Sequence, residues 1–137
     1  MRLFIVTLLL CSVLRAQGPY DWKVTRVIDG DTVEILVDFL PSELSNKLLV
    51  RIWGIDTPEK GFRAQSVHEQ ELAAKASEFT KYAIANAKEI KITLITWDKF
   101  GGRVLGDVII DGKSLRQLLL DAGHAREYYG DKKKSWD

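Results

Sequence analysis

The sequence predicts an α+β domain that is mainly β: a small five-stranded barrel with two to three helices packed on it. Three observations carry this expectation. Short alternating or β-branched segments, each ended by a turn signal, recur along the chain. One long segment and one short segment carry helical signals instead. A length of 137 residues, 46% hydrophobic and 28% charged, is that of one domain with a core.

The elements follow in chain order. Met1-Arg2 precedes an apolar run from Leu3 to Leu14, broken only by Thr7, Cys11 and Ser12. The run is shorter than the roughly 20 residues that span a bilayer, and small residues follow it, so it reads as a secretory signal peptide. The expected division is a signal segment at 1–18 and a single domain at 19–137. The expected location is therefore outside the cell or in the periplasm. No stable membrane association is expected, the alternative being an uncleaved N-terminal anchor.

Trp22 to Ile28 alternates loosely and reads as a strand. Asp29-Gly30-Asp31 is a turn signal, and Thr32 to Val37 reads as the next strand. Phe39 to Asn46 contains Pro41 and polar residues, which makes a long hairpin loop. Leu48 to Ile55 reads as a third strand, and Thr57 to Gln65, with Pro58 and Gly61, as a loop. Ser66 to Ala87 has helical period: Leu72, Ala76, Phe79 and Ala83 share one face. Ile90 to Trp97 and Arg103 to Ile110 read as strands around a tight turn at Lys99 to Gly102. Ser114 to Ala122 is a short helix, with Ser114 as its cap and Gly123 at its end. The order β-β-β-α-β-β-α is that of a small OB-type barrel.

Composition narrows the chemistry. The 20 basic residues face 19 acidic ones, and removing Arg2 and Arg15 with the first eighteen residues leaves a net charge of −1. An anionic ligand must then be met locally, by basic groups or a metal, rather than by bulk charge. The single cysteine excludes an intrachain disulfide and a Cys-cluster zinc site. Two acidic clusters stand out: Asp29-Gly30-Asp31-Thr32 where one strand turns into the next, and Asp56-Thr57-Pro58-Glu59 at the end of the third. Neighbouring antiparallel strands can bring them together. Oxygen donors without Cys suit a hard cation such as Ca²⁺ or Mg²⁺. Taken singly, each cluster reads more readily as a turn or loop start than as a site.

Arg51, in an otherwise apolar strand, and Arg103, after the Gly101-Gly102 turn, supply planar donor forks that match phosphate oxygens. On an ideal strand Arg51 and Asp56 face opposite ways, so a twist or bulge near Gly54 is needed to bring them to one site. His68 and His124 lie in no recognisable catalytic motif.

Three segments are recognisable together. Val27-Ile-Asp-Gly-Asp-Thr-Val33, Arg51-Ile-Trp-Gly-Ile-Asp-Thr-Pro-Glu59 and Asp98-Lys-Phe-Gly-Gly-Arg-Val-Leu105 resemble the motifs of the thermonuclease (staphylococcal nuclease-like) family. Ala76 to Lys81 and Asn86 to Lys88 resemble its first helix, and the resemblance runs from residue 22 to about 129. It implies an OB-fold barrel and Ca²⁺-dependent hydrolysis of DNA and RNA phosphodiesters, leaving 3′-phosphate and 5′-hydroxyl ends.

By the same resemblance, Asp31, Asp56 and the Thr57 carbonyl are the metal ligands. Arg51 and Arg103 bind phosphate, and Glu59 activates water. Asp29 stands near the metal, and Lys99, Phe100, Tyr128 and Tyr129 are candidate substrate contacts. The alternative is a non-catalytic nucleic-acid-binding barrel of the same fold. A monomer is expected, with the family's third helix short or absent. Lys132-Lys133-Lys134 reads as a solvated basic tail, and Trp136 as a residue that docks on the barrel.

Overall fold

The computed structural model describes residues 17–137; the apolar N-terminal run and most of the segment read as a signal peptide lie outside the described residues. Nine strands and two α-helices follow: β1 Gln17–Tyr20, β2 Lys23–Asp29, β3 Thr32–Leu36, β4 Lys47–Ile52, β5 Ile55–Asp56, α1 Val67–Ala85, β6 Ile90–Trp97, β7 Arg103–Ile110, β8 Lys113–Ser114, α2 Leu115–Asp121 and β9 Arg126–Glu127. Ser42–Leu44 and Gly61–Arg63 form single 3₁₀ turns in the two predicted loops.

The main sheet runs β1-β6-β7-β4-β3-β2, with β4 and β7 parallel and its other neighbours antiparallel. No ladder joins β1 to β2. Only Asp21 and Trp22 separate them, so the chain itself links the sheet's two edges, as a five-stranded OB barrel requires. The predicted first strand is thus the second half of a longer run whose first half, from Gln17, pairs with β6.

Alternation fills the barrel. Val33, Ile35, Val50, Ile52, Ile92 and Val108 are fully or almost fully buried, each contributing roughly 1.5–3 kcal/mol of burial. β7 alternates strictly between half-buried and buried positions, Val104, Gly106, Val108 and Ile110 pointing inward. The inner residues of β4, Leu48, Val50 and Ile52, leave Leu49 and Arg51 on the outer face.

The third predicted strand breaks at Trp53-Gly54. Gly54 adopts φ +79°, a left-handed turn open to glycine. There the chain leaves β4 and starts β5, which pairs with β9. A side chain at Gly54 would also press on Arg116 and Tyr129 at 2.9 and 3.0 Å.

Helix α1 packs across β2, on a face shifted from the predicted one. Its buried positions are Glu69, Ala73, Ala76 and Thr80, while Phe79 and Ala83 are partly buried against the core. The two buried polar residues find their partners outside the helix. Thr80 Oγ1 donates to the Gly30 carbonyl at 2.7 Å. The Glu69 carboxylate accepts from the Glu59 N–H at 3.0 Å and the Gln65 N–H at 2.6 Å. Ser66 caps the helix by accepting from the Glu69 N–H at 3.0 Å, so Ser66 and Glu69 have capping-box spacing. Through these bonds α1 anchors both acidic segments of the chain.

Candidate active site

Strand register decides what meets at the site. Arg51 pairs with Thr32 on β3 and with Leu105 on β7, and Leu49 pairs with Arg103. Arg51, Leu105 and Arg103 therefore project from the same outer face of the barrel. The β2–β3 turn lies beside them. Gly30 permits its close approach to α1, since a Cβ there would sit 2.8 Å from the Ala76 Cβ. With Thr80 holding its carbonyl, this turn fixes where Asp31 points.

Asp31 and Asp56 are 3% and 1% exposed. The Gly54 turn brings Arg51 and Asp56 together as required: the guanidinium bonds Asp31 Oδ2 at 2.7 Å, stands 3.7 Å from Asp56 Oδ1, and donates to the Ile55 carbonyl at 3.2 Å. Asp31 also accepts from the buried Thr57 backbone N–H at 3.2 Å and from the Thr32 hydroxyl at 3.0 Å. Burial pushes the Asp31 carboxyl above its usual range, against the opposing pull of Arg51 and Thr32; the charges of Asp29 and Asp56 push it further. Burial works against the charge of Arg51, and Asp31 more than restores it.

Asp31, Thr57, Arg51, Glu59 and Arg103 line one open cleft of about 590 Å³. Asp29, Lys99, Phe100, Tyr128 and Tyr129 line it too, whereas Asp56 lies behind and lines an adjoining hollow with Glu59. Asp29 is turned toward Lys60 at 3.0 Å and Arg63 at 4.0 Å. Glu59 faces Lys133 at 2.8 Å and Arg63 at 3.4 Å. Partial burial disfavours its charge, but Lys133 and Arg63 outweigh that and hold the carboxyl below the usual range.

Arg103 is aligned by its own hairpin. Its Nε donates to Asp98 Oδ2 at 2.6 Å, and its guanidinium lies 5.1 Å from the Phe100 ring centroid. Lys99 and Phe100 stand exposed at the hairpin tip. Tyr129 packs edge-on against Trp53 at 5.2 Å and accepts from Arg116, and the Tyr128 N–H donates to the Gly54 carbonyl.

Three residues at the site carry no role in the sequence reading: Asp98, Arg126 and Lys133. Asp98 sits within a quoted motif. Arg126 stands 3.7 Å from Asp56, and its guanidinium stacks on the Trp136 ring, so Trp136 docks on an arginine. Lys133 belongs to the run read as a solvated tail. Residues 128–137 form no helix.

The two aspartates fit a hard cation. Both Asp56 oxygens are buried with no well-aligned hydrogen bond, surrounded only by cationic groups: the Lys133 ammonium at 2.8 Å and the guanidiniums of Arg51 and Arg126 at 3.7 Å; Asp31 lies beside it across Arg51. Among the described residues no three His, Cys, Asp or Glu side chains converge as a metal site. Two carboxylates would then need completion by a backbone carbonyl and water, as oxygen-liganded Ca²⁺ and Mg²⁺ sites allow.

Comparison with known proteins places the chain among nucleases. An uncharacterized endonuclease of Escherichia coli is 30% identical over 107 residues, covering 77% of this chain and 60% of the relative. Endonuclease YhcR of Bacillus subtilis is 29% identical over 119 residues, covering 83% of this chain and 9% of the relative. Endonuclease YncB of the same organism is 32% identical over 106 residues, covering 76% of this chain and 46% of the relative. The chain thus spans about 60% of the length of the Escherichia coli relative. The family model for staphylococcal nuclease homologues matches residues 49–136, a span that begins after Asp31 and includes Arg51, Asp56, Thr57, Glu59 and Arg103. On that match, and on the barrel and cleft that carry it, the chain belongs to the staphylococcal nuclease family.

Proposed function

We propose that the protein is a Ca²⁺-dependent nuclease that hydrolyses DNA and RNA phosphodiesters and leaves 3′-phosphate and 5′-hydroxyl ends. One observation carries the reading: Arg51 is held between two buried aspartates at the floor of a cleft whose wall presents Arg103 from the same face of the sheet. Asp31 and Asp56, with the Thr57 carbonyl, would hold the cation. When bound, it neutralises charge on the phosphate oxygens.

The side chains supply the rest. Arg51 has five N–H donors and spends only some of them on Asp31 and Ile55. Its remaining donors and those of Arg103 meet the phosphate oxygens. Because both guanidiniums are already fixed by carboxylates, little reorganisation is needed as charge builds on the transferring group. Glu59, at the cleft mouth and held charged, accepts the proton of the attacking water; such help is worth about 10²–10⁴-fold. Phe100 and Tyr128 offer ring faces to bases. The presence of all five charged groups favours catalysis over a barrel that only binds.

The protein acts as an exported monomer in this reading. Cleavage of the leader after Ala16 leaves β1 whole, whereas cleavage after Gly18 divides it. Asp31→Ala tests the chemistry: the purified variant, compared with wild type on single- and double-stranded DNA and RNA in Ca²⁺, should keep its circular dichroism spectrum and lose nearly all cleavage. Full cleavage by a folded Asp31→Ala protein rules the assignment out.

A further inference from the structure

Lys133 stands where a cation belongs. Its Nζ is 2.8 Å from Asp56 Oδ1 and 2.8 Å from Glu59 Oε1, closer to Asp56 than the guanidiniums of Arg51 and Arg126, both at 3.7 Å. The segment that carries it is fastened. Arg126 Nη1 donates to the Ser135 carbonyl at 2.9 Å, and its Nη2 donates to the Lys134 carbonyl. The same guanidinium lies 4.0 Å from the Trp136 ring centroid, and the Ser66 hydroxyl donates to Asp137 at 2.6 Å. Residues 133–137 thus form a strap tied to β9 and to the start of α1, with one ammonium directed at the carboxylates. That side chain is 42% exposed and lines the cleft.

A divalent cation at Asp56 and an ammonium at the same oxygen repel each other at contact distance, where Coulomb energies are largest. We propose that Lys133 is a tethered cation, anchored on Glu59, that competes with the divalent metal for Asp56, so that the C-terminal strap sets the metal affinity of the site. The inference rests on the reading of Asp31 and Asp56 as metal ligands. It adds a residue whose role is to fill the carboxylate site before metal arrives and to yield when it does.

Calorimetric titration with Ca²⁺ tests it on the full chain as wild type, Lys133→Met and Lys133→Arg. Lys133→Met should bind Ca²⁺ about tenfold or more tightly than wild type, while Lys133→Arg, which keeps the charge, should stay within about threefold of it. Trp136→Ala loosens the strap without touching the lysine, and should tighten Ca²⁺ by a smaller factor. Equal or weaker binding by Lys133→Met overturns the inference alone, as does equal tightening by Lys133→Met and Lys133→Arg. No Ca²⁺ binding by any folded variant or by wild type overturns the metal reading and the inference together.

Discussion

The two halves of the cleft are built differently. The floor is Asp31, Thr57 and Arg51, with Asp56 behind them, buried or nearly so, and tied to the barrel by register and to α1 by Thr80 and Glu69. The rim is Lys99, Phe100, Tyr128 and Tyr129, carried on a hairpin tip and on the segment after β9, with Phe100 58% and Tyr129 54% exposed. The floor holds charge where water is scarce, so each interaction there is strong and depends on position. The rim offers ring surface and the Lys99 ammonium where contacts are weak and adjustable. Chemistry placed on the floor and substrate contact on the rim should therefore fail in different ways.

Removing a floor donor should have the largest effect. Arg51→Ala should lower kcat by about 10²–10³-fold or more, as loss of one preorganised donor to a transition-state oxyanion does, with a much smaller change in KM. A drop confined to KM would move Arg51 from floor to rim in function.

Metal should stabilise the floor and leave the rim alone. At Ca²⁺ concentrations near 100 times its Kd, folding stability should rise by about 2.7 kcal/mol, read as an upward shift in Tm that chelator reverses. Asp56→Ala should abolish that shift and Phe100→Ala should keep it.

Thr80→Val probes the anchor rather than the chemistry. The hydroxyl to the Gly30 carbonyl is fully buried, so its loss should cost about 1–3 kcal/mol in denaturant unfolding and weaken Ca²⁺ binding through the displaced Asp31 turn. Unchanged Ca²⁺ affinity in a destabilised Thr80→Val protein would separate the anchor from the site.

Phe100→Ala should be the mildest. Loss of one stacked base is worth about 1 kcal/mol, roughly a fivefold rise in KM, with stability unchanged within about 0.5 kcal/mol. A loss of kcat as large as that of Arg51→Ala would show that the ring beside Arg103 holds that arginine for catalysis.

The same division runs through what the amino-acid pattern reveals. Alternation and turn residues mark β2, β3, β4, β6 and β7, because those strands bury one face and answer to local periodicity. The motifs around Asp31, Arg51 and Asp56 carry the floor, and Gly54 supplies the bend that lets Arg51 and Asp56 meet. What stays hidden depends on partners outside the element itself. β5 and β9 are two residues each and exist by pairing with one another. Glu69 and Thr80 look like surface residues of a helix until Gly30, Glu59 and Gln65 are placed beside them. β1 carries Gly18 and Pro19 a few residues after an apolar run, so composition groups its start with the leader although β6 pairs with it. Lys133 is one of three consecutive lysines, and only its pairing with Asp56 and Glu59, in a segment held by Arg126, singles it out.

The most direct measurement follows one end-labelled oligonucleotide through cleavage by the purified wild-type protein, in Ca²⁺ and then in chelator, with the product ends mapped. The expected result is rapid cleavage in Ca²⁺ that leaves 3′-phosphate and 5′-hydroxyl ends and stops when the cation is removed. Cleavage that survives chelation, or products that carry a 5′-phosphate, would contradict a metal-bearing floor at Asp31 and Asp56 working with Arg51.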